Sequence, residues 1–599
     1  VYQMNTSVAE AIPTRKITGL ASDDLFDLRY VRAAHLSPDG RHVAYVVSAT
    51  EDDREFFQIH LAGLDGGYHR VLPFPGSATS PRWSPDGRWL AFVGDGRLHV
   101  ACTSSWTTAA PLTEEELTVQ GLPSWSPDSA QLAISVLQLP APKSTRRITT
   151  RHFRAEGIGF TEDLTQRIAI VQRAGGALRF VTDPEQGFCS QPDWSPCGRR
   201  ILFLSSDSAV PFSSYSPRLI AVDVETARPQ QLLDDRWYLT AARWLPCGER
   251  VAVAAVRDSM LTAPNPLLWV LRLQDGAMDL RTPGMTAKIS GLIHHDMPAW
   301  ELMQGNPLLI QDENTALVTV LNRGSLEIWR VGLRGDPAVR PILNGERSCV
   351  GIDVCARTSK LLYAVTSLHS PTELWCAALD GREEKPLTAL NTHVLARWPK
   401  MRVEQFVCTS ADGLKFDAWF MVAAHQRLPV PTILFIHGGP FAATGHAFRY
   451  DFHLLASNGF GVVFANFRGS AGYGDGFSRA IMGDWGGRGF PDHMATVDTA
   501  IELGLAQADR LGVWGASHGG FATCWIVGHT SRFKAAVAEA ASTNFTTAYY
   551  LKDGPEVIAR DLGGRPHEIP DVYRACSPIT YAHRCTTPTL FVHGEDDLR

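Results

Sequence analysis

Residues 511–520, LGVWGASHGG, set one hydroxyl, that of Ser517, among residues too small to shield it. The apolar Leu511, Val513 and Trp514 predict a buried strand, and Gly515-Ala516-Ser517-His518-Gly519-Gly520 follows at once. G-x-S-x-G in that setting is the pattern of a nucleophile elbow, a sharp strand-to-helix turn that presents the serine Oγ for attack on an acyl carbon. Gly515 and Gly519 keep bulk away from the turn, and Ser517 at the apex must accept backbone geometry that an ordinary surface turn does not need. Residues 521–527 are apolar enough to be the buried helix behind it. Gly and Ser are common, so the pentapeptide needs support from the rest of the chain.

A serine nucleophile requires an oxyanion site, a base and an acid to orient the base. His437-Gly438-Gly439-Pro440 follows the apolar run 433–436 and supplies the first need. Gly438 and Gly439 carry no side chain and Pro440 has no N–H, so Gly439 N–H is the best donor, with His518 N–H the second. Losing one such donor costs about 3–4 kcal/mol of transition-state stabilisation. An acid following the nucleophile in chain order is found in His593-Gly594-Glu595-Asp596-Asp597, where Asp596 and Asp597 both qualify. Asp484, Asp492 and Asp498 precede the serine and read as turn and helix-start charges. His437 and His593 are rivals for the base, whereas His518 points away from its neighbouring serine in an elbow.

The elements that must hold these groups change character near Arg402. Residues 403–419 read as two strands about the turn Ala411-Asp412-Gly413, and 433–436 and 462–465 are continuous apolar runs of the kind buried on both faces of a parallel sheet. A helix is predicted over 492–505, and further strands over 535–538 and 589–592. This alternation predicts an α/β sheet with helices on both faces, whose strand ends carry the site.

The preceding part repeats. Leu36-Ser37-Pro38-Asp39-Gly40, Trp83-Ser84-Pro85-Asp86-Gly87, Trp125-Ser126-Pro127-Asp128-Ser129, Trp194-Ser195-Pro196-Cys197-Gly198 and Trp244-Leu245-Pro246-Cys247-Gly248 each lead into a β-rich run. The anchors recur at roughly 40 to 70 residues, and units of that size must stack on neighbours to bury both faces, which predicts a β-propeller. Weaker units near 307–314 and 355–364 bring the expected count to seven blades, with 143–163 an insertion between strands. The tryptophans read as wedges between blades rather than a stacking platform for a ligand. Nothing in this half supplies chemistry.

With 599 residues the chain exceeds one core, so at least two domains are expected. Apolar residues make up 45% and charged ones 20%, and the net charge of −6 is dispersed, which offers no nucleic-acid footprint and no basic membrane-binding helix. The longest apolar runs are strand-sized and short of a membrane span, and no signal-peptide pattern opens the chain. Eleven Cys without a C-x-x-C pair argue against a zinc knuckle or disulfide scaffold and for a reducing, cytoplasmic location.

His437-Gly438-Gly439-Pro440, Asn466-Phe467-Arg468-Gly469-Ser470-Ala471-Gly472-Tyr473-Gly474, Asp484-Trp485-Gly486, the Ser517 elbow, Ser577-Pro578 and His593 to Arg599 stand in one order along the chain. In that order they resemble the prolyl oligopeptidase family of serine peptidases, nearest the acylaminoacyl-peptidase and dipeptidyl-aminopeptidase-like branch. The resemblance implies a peptidase with Ser517 as nucleophile, Asp597 as triad acid and Gly439 and His518 as oxyanion donors, without metal or cofactor. It implies short peptides as substrates, releasing acylated amino acids or dipeptides, with access restricted by the propeller; oligomeric state stays open. The expected domains are an extension over 1–30 packing on the hydrolase, a propeller over 31–398 and an incomplete α/β-hydrolase domain over 399–599. Glu114-Glu115-Glu116 and Glu383-Glu384 fall in surface turns and do not match the paired glutamates that dipeptidyl peptidases use. The family's catalytic His lies about thirty residues beyond the acid, so it is expected beyond residue 599, in a longer natural chain. A carboxylesterase, and a propeller interaction module with a degenerate hydrolase domain, are the competing readings.

Overall fold

A computed structural model describes residues 19–599 apart from 109, 140–144, 150–152, 157, 207–216, 258–264 and 297–306. The first eighteen residues of the expected extension, and parts of the 143–163 insertion, lie outside the described residues. Seven antiparallel sheets of three to five strands run from Tyr30 to Pro386. Their innermost strands touch in sequence, and that of the last sheet, Ser348–Cys355, touches that of the first, Tyr30–Leu36, so the sheets close as a seven-bladed propeller.

The repeated residues build the joints between blades. Ser37, Ser84 and Ser126 each donate to the Asp two residues on, closing a tight hairpin whose fourth position takes φ of +65° at Gly40 and +72° at Gly87. The tryptophan before each turn is buried and gives its indole N–H to the blade before: Trp83 to His35 O, Trp125 to Arg82 O, Trp194 to Ser124 O and Trp244 to Asp193 O, all at 3.0–3.1 Å. The wedge reading of these rings therefore holds. Residues beside them, including His35, Arg82, Asp193, Arg243 and Asp353, line a cavity of about 1280 Å³ on the propeller axis.

Blade six departs from the pattern. Its inner edge is split between Lys288–Ile289 and Leu308–Asp312, both paired with Thr315–Asn322. The chain leaves after Ser290, whose N–H donates to Thr319 O, and returns at Pro307, whose carbonyl accepts from Thr319 N–H. The excursion starts and ends on one residue of the ladder.

The second domain is a seven-stranded sheet formed by β1 (Met401–Thr409), β2 (Lys415–Ala423), β3 (Val430–Ile436), β4 (Gly461–Ala465), β5 (Ala506–Ala516), β6 (Phe533–Glu539) and β7 (Thr589–Val592), in spatial order 1-2-4-3-5-6-7. From β4 to β7 all pairings are parallel, as the apolar runs at β3 and β4 predict. Helices α1 (Tyr450–Ser457), α2 (Trp485–Glu502) and α3 (His518–Val527) pack on this sheet. The architecture is thus a seven-bladed β-propeller joined to an α/β-hydrolase domain. Leu20, Leu25 and Leu28 pack with Trp398, just before the second domain, and with Phe448 and Tyr450 within it.

Helix α2 begins earlier than its expected start at Asp492. Asp484 caps it by accepting from Gly487 N–H at 2.7 Å, and Pro491 lies inside the helix without ending it. Asp492, read above as a helix-start charge, is instead fully buried and paired with Arg468.

Candidate active site

Strand β5 runs directly into α3, and Ser517 is the one residue between them, at φ 56° and ψ −116°. A non-glycine residue takes that conformation only when its surroundings impose it. Here Ser517 N–H donates to Glu539 O on β6 and Ser517 O accepts from Phe521 N–H, both at 2.9 Å. Ser517 is exposed, while His518, Gly519 and Gly520 behind it are buried. The glycines are steric requirements of this corner. A Cβ on Gly515 would lie 2.6 Å from Ile436 O, and one on Gly519 would lie 1.9 Å from the same oxygen.

The loop leaving β3 folds against the elbow, so that a Cβ on Gly438 would lie 3.5 Å from Ser517 Cβ. Gly439 faces solvent at φ +123°. Among the described residues, neither Gly439 N–H nor His518 N–H donates to a loop, turn or side-chain acceptor. Two uncommitted backbone donors beside an exposed, conformationally forced serine are what stabilising a tetrahedral oxyanion demands.

His437 is buried, and a carbonyl can only accept, so its Nδ1 carries the proton given to Gly438 O at 2.8 Å. Its Nε2 then accepts from Ser470 Oγ, also at 2.8 Å. Burial holds the imidazole well below its ordinary pKa, and with both nitrogens engaged it does not serve Ser517 as a base. His518 points away from the serine, as expected. Its ring lies between Phe467 and Trp485, at centroid distances of 5.6 and 5.2 Å, and burial pushes its pKa down to about 3.

Asp597 stands beyond β7, on the same carboxyl edge of the sheet but two strands across from β5. Its Oδ2 lies 3.2 Å from His593 Nε2, and its Oδ1 accepts from Arg599 N–H at 2.8 Å. The structure thus brings together Ser517, Gly439 and His518 and leaves Asp597 paired with His593. Among the described residues no imidazole hydrogen-bonds the Ser517 hydroxyl.

The Asn466 to Gly474 segment is scaffolding for this edge. Asn466 exchanges two hydrogen bonds with the Thr444 backbone at 2.9 and 3.0 Å. Arg468 bridges Asp492 and Asp412, and Tyr473 OH donates to Asp417, which also holds Arg323 of the propeller. Sequence reasoning missed one residue here, His294 of the blade-six excursion, whose Nε2 lies 3.2 Å from Gly438 O. Its only sequence signal was an adjacent His pair, His294-His295, in a segment that fits no blade repeat. Among the described residues no three His, Cys, Asp or Glu side chains converge as a metal site, and no helix is long and apolar enough to cross a membrane. Glu114 to Glu116 and Glu383-Glu384 are exposed in turns, as expected.

Residues 446–599 match the prolyl oligopeptidase family. The chain is 27% identical to YuxL, an uncharacterized peptidase of Bacillus subtilis (strain 168), over 97% of this chain and 91% of that one. It is 34% identical to the acylamino-acid-releasing enzyme of Arabidopsis thaliana over 28% of this chain and 23% of the plant protein. The solved structure of Pyrococcus horikoshii acylaminoacyl peptidase superposes with a TM-score of 0.82 at 21% identity, covering 97% of this chain and 88% of the other. That likeness extends over both the propeller and the hydrolase sheet.

Proposed function

We propose that this chain, a peptidase of the prolyl oligopeptidase family, hydrolyses short peptides through an acyl-enzyme on Ser517 and releases acylated amino acids or dipeptides from their amino ends. Ser517 Oγ attacks the scissile carbonyl and its proton passes through an imidazole base to the leaving amine; water then hydrolyses the ester. Gly439 and His518 N–H bind the oxyanion of both tetrahedral intermediates, and Asp597 orients the base. The observation that carries this reading is the exposed Ser517, held at positive φ against the Gly438-Gly439 loop. The propeller supports a size limit on substrates, since its ring is closed and stands on the hydrolase domain through contacts such as Arg323 with Asp417.

The test is made on the natural full-length protein. A fluorophosphonate is expected to label Ser517 and to leave a Ser517→Ala variant unlabelled, with acylated aminoacyl amides cleaved faster than lipid esters of similar size. Faster turnover of the esters would favour a carboxylesterase, and an unlabelled parent protein would end the enzymatic assignment of this serine. Equal rates on a short peptide and on a folded protein bearing the same bond would remove the size limit.

A further inference from the structure

We propose that His294, carried by the propeller, is a positioning residue for the oxyanion hole of the hydrolase domain. The inference rests on the assignment of Ser517 and Gly439 above and adds to it the group that aims the Gly439 donor. Because the peptide bond is planar and trans, the Gly438 C=O and the Gly439 N–H point in opposite directions, and whatever fixes the carbonyl fixes the donor. Glycine on both sides leaves this peptide little steric guidance. Its orientation therefore depends on what the carbonyl bonds to.

Gly438 O accepts from two imidazoles, His437 Nδ1 at 2.8 Å and His294 Nε2 at 3.2 Å. The two rings lie 5.7 Å apart, and a Cβ on Gly438 would meet His294 Cε1 at 3.4 Å and Ser517 Cβ at 3.5 Å, so the imidazole and the nucleophile both pack against Gly438. His294 is held there by its backbone. Its N–H donates to Ala443 O at 2.8 Å, Ala443 N–H donates to Leu292 O at 2.9 Å, and Ile293 bridges Ala443 with its side chain buried beside Ala447 and Ala471. Asp296 completes the attachment by accepting from Tyr450 N–H and donating its own N–H to Phe448 O. The docked stretch is anchored on both sides of His294, and its imidazole reaches Gly438.

The experiment compares His294→Gln, which keeps an N–H donor near the position of Nε2, with His294→Phe, which keeps the bulk and removes the donor, and with His294→Ala. The Phe and Ala variants are expected to lose ten- to a hundredfold in kcat with KM within threefold of the parent, and to bind a peptidyl boronic acid more weakly by a similar factor. The Gln variant is expected to recover to within about fivefold. A merely structural role would move melting temperature and KM without separating Gln from Phe. Phe at parental kcat, or Gln no better than Phe and Ala, overturns the inference while a reactive parent leaves the Ser517 assignment standing. A parent that reacts with neither peptide nor fluorophosphonate overturns both. If Phe fails to fold, the comparison of Ala with Gln decides.

Discussion

Replacing Gly519 by Ala adds one methyl group at the most crowded point of the elbow. The new Cβ would lie 1.9 Å from Ile436 O and 2.9 Å from Ile436 C, both backbone atoms of β3 that no rotamer change can move aside. Side-chain carbons do not approach backbone closer than about 3 Å, so β3 and α3 must separate by about 1 Å. Ile436 leads into His437 and Gly438, and Gly519 is two residues from Ser517, so the separation falls between nucleophile and oxyanion loop. A displacement of about 1 Å in a catalytic constellation costs about a hundredfold in rate, and overpacking of this kind costs about 1–3 kcal/mol in stability. The opposing gain is the better helix propensity of Ala, about 1 kcal/mol, which can soften the second effect and not the first. Gly512, in the middle of β5, is the control. A Cβ there meets Ile433 Cγ1 at 3.5 Å, an ordinary contact. Gly519→Ala is therefore expected to lose at least about a hundredfold in kcat/KM, while Gly512→Ala stays within a fewfold, with unfolding followed by urea titration for both. Gly519→Ala within threefold of parental kcat/KM, or the two variants equally impaired, would refute the steric reasoning.

Acid should destabilise the fold through buried imidazoles. Burial lowers His294 and His493 to about 4 and His518 to about 3 in the folded chain, against 6.5 when unfolded, so the unfolded state binds more protons between those limits. Their contribution is complete above pH 6.5 and is lost as pH falls toward 4, on the order of 1 kcal/mol per imidazole by pH 5.5. Calorimetry in buffers of different ionisation enthalpy should find proton uptake on unfolding at pH 5.5, and proton release would contradict it. Arg468→Ala should cost about 3–5 kcal/mol, because Asp492, with a fully buried side chain, loses its partner. Adding Asp492→Asn should recover part of that loss in a double-mutant cycle. A single-variant loss under about 1 kcal/mol would show the pair to be dispensable.

What could be read from the chain beforehand was whatever depends on local pattern. The five anchors located their blades because each repeats a Leu-x-Pro or Trp-x-Pro turn, and the inner strands at Leu308–Asp312 and Ser348–Cys355 were fainter because no proline turn follows either. Ser517 and the His437 loop were legible for a similar reason, since a strand end followed by glycines is a local signal. Asp492 was misread because its meaning depends on Arg468, which lies on another element and buries the charge. The start of α2 was misplaced because the apolar residues that mark the helix begin only at Met494, whereas the Asp484 cap starts it at Trp485 and Pro491 does not end it. His294 could not be found at all. Its significance arises only when a segment 144 positions away in the chain folds onto Gly438.

The two ends of the blade-six excursion meet at Thr319, one bonded to its carbonyl and the other to its N–H. An inserted segment with such a root leaves the sheet's register as it was, since Lys288–Ile289 and Leu308–Asp312 continue along the same edge of the same strand. A lineage can therefore lengthen, shorten or exchange this segment while the blade goes on folding, and the hydrolase strands need no compensating change. Variation in how the nucleophile's surroundings are furnished is thereby relocated to a scaffold that performs no chemistry. Among relatives of this chain, divergence in specificity is expected to track the length and composition of the segment rooted at Thr319 more closely than any change within the seven strands of the catalytic sheet.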